Sequence, residues 1–344
     1  MRRNRWARGG RLGLLLATLT VLLSGCSAGD WERNLRFGWP TGVTKQATRM
    51  RVLWTWSCVT ALILGVIVWG LIFWACIRYR KKNDELPRQT KYNFAVEAVC
   101  FTFPFIVIAG LFYRTVIVED YVNHTTKNPD VMVQVDAFKW NWKFEYHSYR
   151  GTEAHKSPTA TTLAYTDPTS GKQLADPQHK RLPYYLATTG DSNTIPILVL
   201  PVHQTVQFDE HSFDVLHSFW VPEFLFKRDV IPYENPSALK NVDSYETKRD
   251  NKFEITPTST GSFVGRCAEL CGTYHSQMNF EVRVVSQATF VKYTDGLKQL
   301  GPNDPNAQEK ALRTAMPGKS PFATTTYPFK TNRTSRSASE KGNN

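Results

Sequence analysis

Twenty-six consecutive residues without a charge, Val52–Ile77 (VLWTWSCVTALILGVIVWGLIFWACI), constrain this chain more than any other feature. As a helix, a run of that length crosses a hydrocarbon layer with some tilt. Trp54, Trp56, Trp69 and Trp74 fall toward its ends, where indole rings anchor a helix at the membrane interface. A second apolar run, Phe94–Tyr113, is closed by Arg114. The intervening RYRKKNDELPRQTKYN carries six Lys/Arg against two acids, which places this loop on the cytoplasmic side and both outer ends outside. The expected element is a two-helix transmembrane hairpin within residues 26–118, with helices at about 52–77 and 94–114. Pro104 is expected to kink the second helix, which membranes tolerate. Cys58, Cys76 and Cys100 read as small buried hydrophobes. Glu97 lies about a turn inside the second run. It either snorkels to the interface or marks a proton or ion path, and the residues alone leave both open.

Residues 1–25 read as a secretory signal. Arg2, Arg3, Arg5, Arg8 and Arg11 precede a short apolar stretch, Leu12–Leu23, that is too short to span. It ends in LSGC, which resembles a bacterial lipoprotein box. Cys26 is therefore expected to be acylated, against the alternative of ordinary cleavage beside an incidental cysteine. A lipid on the outer face agrees with the topology set by the basic loop.

Net charge is +12, but it is unevenly placed. Residues 1–118 hold 17 Lys/Arg against 5 Asp/Glu, residues 119–300 hold 18 against 22, and residues 301–344 hold 7 against 3. The positive excess sits beside the bilayer and in the tail, so it does not argue for nucleic acid, and no nucleic-acid motif is present.

From Val131 the pattern changes. VMVQVDAF, NWKFEYH, ILVLPV, TVQFDEH, KFEITP, SFVGRC and NFEVRVV are short, rich in β-branched and aromatic residues, and bounded by turn formers. They predict an all-β Greek-key sandwich or barrel over residues 119–300. Residues 148–194 lack apolar periodicity and read as a long surface insertion. Residues 301–344 read as a polar, mostly disordered tail.

Within that domain, CAELCGTYHSQM (Cys267–Met278) crowds two of the six cysteines with a glutamate, a histidine and a methionine. A thiol redox pair usually has two intervening residues at a helix start, whereas here SFVGRC leads in from a strand. Zinc would take Cys267, Cys271 and His275, need one more ligand, and have no use for Met278. Thiolate, imidazole and thioether on a β loop suit copper, but a mononuclear blue site needs one cysteine and this stretch has two. Two thiolates bridging two copper ions, each capped by a histidine, would use both, with a second histidine from elsewhere. His217 in DVLHSFWVPEF and His211, six residues earlier and so on the same face of a strand, both qualify by periodicity. No C-x-x-C-H haem attachment motif is present.

DVLHSFWVPEF followed by GRCAELCGTYHSQMNF, on a β domain behind a hairpin, resembles the dinuclear copper (CuA) subunit 2 of the haem–copper cytochrome c oxidases. The resemblance spans roughly Val52 to Ala288, apart from the insertion, and implies a cupredoxin-like fold. It implies that Cys267 and Cys271 bridge two copper ions and that His217, rather than His211, and His275 cap one each. Met278 and the backbone carbonyl of Glu269 would be weak ligands. The Glu269 side chain would help hold magnesium against the catalytic subunit. FKWNWKFEY is similar to the family's cytochrome c docking stretch, so Trp140 is where electrons would arrive, while Trp142 and Tyr146 read as core aromatics. VEAVCFTFP resembles the second-helix segment in which Glu97 would lie at the mouth of a proton channel. The resemblance implies an electron-accepting oxidase subunit that passes electrons to haem in another chain, where O2 is reduced with proton pumping.

The insertion and the lipobox look more like the actinobacterial branch, in which the donor is commonly a membrane-bound dihaem cytochrome c in a supercomplex; the insertion is then expected to contact that partner. A quinol oxidase subunit would lack these ligands, and a thiol–disulfide oxidoreductase would hold no metal. A lipid-anchored copper chaperone, the alternative reading, has no use for two helices, Glu97 or the tryptophan motif.

Overall fold

The computed structural model describes residues 34–81, 83–86, 89–149, 165–166, 173–174, 186–191, 194–232, 251–301, 304 and 306–325. The expected signal peptide, Cys26, most of the insertion and residues 326–344 lie outside the described residues.

Two apolar helices come first, α1 (Lys45–Arg78) and α2 (Phe94–Asn123). Both outrun their expected limits, because a charge-free window marks only the part suited to hydrocarbon, while backbone hydrogen bonding continues through the polar flanks. Thr44 starts α1, its Oγ1 accepting from Ala47 N at 2.9 Å. Asn93 and Glu97 start α2 reciprocally. Asn93 Oδ1 accepts from Val96 N at 3.3 Å, and Glu97 Oε1 accepts from Asn93 N at 3.0 Å. Pro104 lies inside α2. Both helices are long and apolar enough to cross a membrane. Their mid-span side chains, Val66, Trp69 and Phe105 among them, are exposed, a surface that suits lipid and not water. Cys76 and Cys100 are exposed and Cys58 half-buried.

The β domain contains β1 (Val131–Phe138), β2 (Asn141–Tyr149), β3 (Tyr165–Thr166), β4 (Gln173–Leu174), β5 (Leu186–Thr189) and β6 (Ile197–Pro201). It continues with β7 (Val206–Ser212), β8 (His217–Val221), β9 (Phe226–Val230), β10 (Lys252–Ile255), β11 (Gly261–Cys267) and β12 (Asn279–Val285). One five-stranded sheet has the order β10-β7-β1-β2-β5, and the second has the order β6-β12-β11-β8-β9. The β1–β7 and β6–β12 pairs are parallel and the rest are antiparallel. β3 and β4 pair only with each other. Alternation decides what faces inward: Val131, Val133, Val135 and Ala137 of β1 are all buried. They join an aromatic core in which Phe208 stacks on Phe253 and Phe219 on Phe280, each at 4.8 Å between ring centroids. This is a cupredoxin-like sandwich behind two apolar helices, as the sequence predicts.

The start of α1 is sewn to this sandwich. Val43 N donates to Glu223 O at 3.0 Å, Lys45 N to Thr256 O at 3.0 Å, and Thr258 N to Val43 O at 2.8 Å. Thr256 N donates to Gln46 Oε1 at 3.0 Å.

The domain is not all-β. α3 (Gln287–Leu300) follows β12, and α4 (Ala307–Ala315) lies in the stretch expected to be a disordered tail. Phe290, Tyr293, Thr294 and Leu297 form the buried stripe of α3, a helical spacing that the strand-rich reading overlooked. α4 buries Ala307, Ala311, Leu312 and Ala315; a Cβ on Gly296 of α3 would stand only 3.3 Å from Ala311 Cβ. Beyond α4, Arg283 donates to Ser320 O at 2.7 Å and Phe322 O at 2.9 Å, fixing the irregular segment that follows.

Candidate metal centre

Two loops at one end of the sandwich carry the site. Cys267 is the last residue of β11, and Cys271, His275 and Met278 follow before β12 begins. Cys267 N donates to Met278 O at 3.0 Å, closing the loop on itself. Gly272 adopts φ +115°, a conformation that other residues rarely adopt. His217 opens β8 beside this loop, and Ala268 N donates to Ser218 O at 3.0 Å, joining the two segments.

The side chains converge. Cys267 Sγ lies 3.8 Å from Cys271 Sγ and 3.8 Å from His217 Nδ1. Cys271 Sγ lies 3.5 Å from His275 Nδ1 and 3.8 Å from Met278 Sδ. The carbonyl oxygen of Glu269 is 3.2 Å from Cys267 Sγ. His217, Cys267, Cys271 and Met278 are buried, and His275 is half-buried. The ligand atoms of His217, Cys267 and Cys271 all lie within 4.8 Å of one another.

These separations test the chemistry. A disulfide needs about 2.05 Å between sulfurs, so the two thiols are free. Two donors that share one metal at bond lengths of about 2.0–2.3 Å and near-tetrahedral angles stand about 3.3–3.8 Å apart, the spacing found here. Six donors, five of them nitrogen or sulfur, exceed what a four-coordinate zinc takes and match the soft set that favours copper.

The titratable groups of the site are tied to one another. The hydrogen bond with Cys271 lowers the Cys267 thiol to about 3 against opposing burial, with His217 and backbone groups assisting. The same shared proton, with burial, raises Cys271. His217 is raised: burial opposes protonation, but the hydrogen bonds to Asp214 and Cys267 outweigh it. Asp214 is lowered despite burial, by its bonds to His217 and to the backbone N–H groups of Lys139 and Val215.

Asp214 was not singled out in the sequence, although it opens the same DVLHS segment. Its Oδ1 sits 2.8 Å from His217 Nε2. With Nε2 held by a carboxylate, Nδ1 is left to face the sulfurs. His211 plays no part. It lies on β7, in the other sheet from His217, so the two histidines do not share a strand face as expected; its Nδ1 is 3.9 Å from Asp136 Oδ1. The bends at Phe213–Val215, between β7 and β8, break the alternation on which that expectation rested.

Trp140 sits against the loop. Its indole N–H donates to Cys271 O at 3.0 Å, and a Cβ on Gly272 would lie 3.3 Å from the ring. Trp142 is fully buried, donating to Met278 O at 3.2 Å, and Tyr146 is buried with its hydroxyl bonded to Val199. Both are core aromatics. Glu97 is not part of this cluster; in the structure it closes the start of α2.

A profile of the family described as "Cytochrome C oxidase subunit II, periplasmic domain" matches residues 131–285. A probable cytochrome c oxidase subunit 2 of Nocardia farcinica is 44% identical, over 98% of this chain and 92% of its own length. Cytochrome c oxidase subunit 2 of Mycobacterium tuberculosis is 42% identical, over 94% of this chain and 89% of its own. Among solved structures, the periplasmic domain of subunit II of cytochrome oxidase from Bradyrhizobium japonicum is 23% identical, covering 51% of this chain and 98% of that one, with a TM-score of 0.32. On the near-full-length likeness to these actinobacterial subunits, the chain belongs to the cytochrome c oxidase subunit 2 family.

Proposed function

We propose that this chain is the electron-accepting subunit of a respiratory cytochrome c oxidase, taking electrons one at a time from a cytochrome c and delivering them to haem in the catalytic subunit, where O2 is reduced to water with proton pumping. The observation that carries this reading is the convergence of Cys267, Cys271, His217, His275, Met278 and the Glu269 carbonyl within 3.2–3.8 Å along the chain of neighbours. Cys267 and Cys271 would bridge two copper ions, His217 and His275 would cap one each, and Met278 and the Glu269 carbonyl would be the weak ligands. Bound copper supplies a one-electron couple with little reorganisation, because the charge change is spread over two ions.

The residues prepare the site for that task. Burial keeps water from the thiolates, and Asp214 holds the His217 ring in place. The strand ends on either side limit movement of the loop. Trp140, bonded to the Cys271 carbonyl, is where electrons would arrive. The Glu269 side chain would help hold a magnesium ion against the catalytic subunit, and Glu97 would lie at the mouth of a proton channel. The β domain would face outward, the chain would cross the bilayer twice, and Cys26 would carry a lipid. A membrane-bound dihaem cytochrome c in a supercomplex is the donor this reading favours, with residues 148–194 as its contact.

Replacing Cys267 with Ser tests the assignment. We expect loss of the spectrum of an electron shared by two copper ions; a copper spectrum identical to that of the unaltered chain would refute it.

A further inference from the structure

We propose that Tyr274 is a positioning residue for electron uptake, holding the Trp140 indole against the copper-binding loop. This rests on the reading of Trp140 as the place where electrons arrive.

The indole is restrained on three sides. Its N–H donates to Cys271 O at 3.0 Å, Gly272 forms its floor, and Tyr274 meets it edge to face at 4.9 Å between centroids with the planes at 84°. The first two restraints belong to the backbone of the copper loop, and the indole also packs against the core. The phenol ring adds a side-chain contact from the loop itself. It presents its aromatic contact at the near-perpendicular angle that aromatic pairs prefer.

The backbone of Tyr274 ties this restraint to the ligands. Tyr274 precedes His275, and its carbonyl accepts from Gln277 N at 2.9 Å to form the single turn that carries the imidazole. Neighbouring residues on one turn therefore orient a ligand and the indole together. In the transfer itself, one electron leaves a ferrous c-type haem, which becomes ferric, and reduces the copper pair by one unit. No bond or proton changes hands. The rate of such a step falls steeply with distance and misalignment, so a ring held in register is worth more than a ring merely nearby.

The test uses the assembled oxidase and a reduced soluble c-type cytochrome as probe, with copper reduction followed by stopped flow. Tyr274→Ala should slow uptake about ten-fold, less than the roughly 100-fold that a 1 Å misplacement can cost, while Tyr274→Phe stays within about two-fold. The electron paramagnetic resonance (EPR) pattern of the copper should be the same in all three proteins. In a Trp140→Phe background, Tyr274→Ala should add less than about two-fold, because its effect runs through the indole. Unchanged uptake in Tyr274→Ala overturns the proposal, and so does an equal further loss without Trp140. An altered EPR pattern in Tyr274→Ala also overturns it, since the residue would then support the copper ligands themselves. Absence of a two-copper pattern in the unaltered oxidase would instead remove the functional reading beneath it.

Discussion

Asp214 shows how much of this site depends on a residue outside its sulfur and imidazole donors. Its two oxygens accept from Lys139 N and Val215 N, each at 2.6 Å, and Oδ1 also meets His217 Nε2. One carboxylate thus fixes the turn before β2, the approach to β8 and the ring of a ligand. Replacing Asp214 with Ala should weaken copper binding about 10- to 100-fold, the usual cost of losing such a partner. Competition against a chelator of known copper affinity would measure it, and unchanged affinity would count against the role. Of the proposed ligands, Cys267, Cys271, His275 and Met278 stand out in the sequence because soft donors are scarce and crowded together there, whereas His217, about fifty residues earlier, is distinguished from His211 only by the family resemblance. Asp214 does not stand out, because an aspartate three residues from a histidine is unremarkable until folding brings its oxygens to Nε2. The placement of His211 on the strand face of His217 fails for the opposite reason: spacing along a chain carries no face information once the chain leaves one sheet for the other.

At the scale of elements, the strands were readable from alternation and the helices of the C-terminal part were not. α3 follows β12 with one residue between them, so a strand-rich pattern runs straight into a helical one. Its boundary is set by Ser286, whose Oγ accepts from Thr289 N at 3.2 Å. Replacing Ser286 with Ala should destabilise the chain by about 1 kcal/mol through the lost cap. Chemical unfolding checks this, and a change near zero would mean that packing of Phe290 and Tyr293 alone holds the start of α3. α4 is short and mostly polar, and its four buried residues include three alanines. Small apolar residues give a weak periodic signal, which is why this segment read as tail. The limits of α1 and α2 were missed for a different reason. A hydropathy run reports the solvent around a helix, while Thr44 and the Asn93–Glu97 pair decide where helices begin.

For the whole molecule, one buried group makes stability depend on pH. Glu210 is fully buried on the core-facing side of β7, and its carboxyl oxygens have no hydrogen-bond partner among the described residues. Burial raises its pKa well above the ordinary 4.5, more than the charge of Arg228 lowers it. Above about pH 4.5 the unfolded chain releases this proton while the folded chain keeps it. The folded state then binds more protons, and stability falls by about 1.4 kcal/mol per pH unit until the folded-state pKa is reached. Glu210→Gln should remove that slope, so the gap in unfolding midpoint between variant and parent should widen from pH 5 to pH 7. A gap independent of pH would show that Glu210 ionises alike in both states.

The central claim concerns the metal, and copper content together with the EPR spectrum of the oxidised, purified oxidase tests it most directly. The account predicts two copper ions bound by this chain, with one unpaired electron whose hyperfine pattern reports two equivalent copper nuclei. One copper with a single-nucleus pattern, or no copper and two titratable thiols, would contradict it.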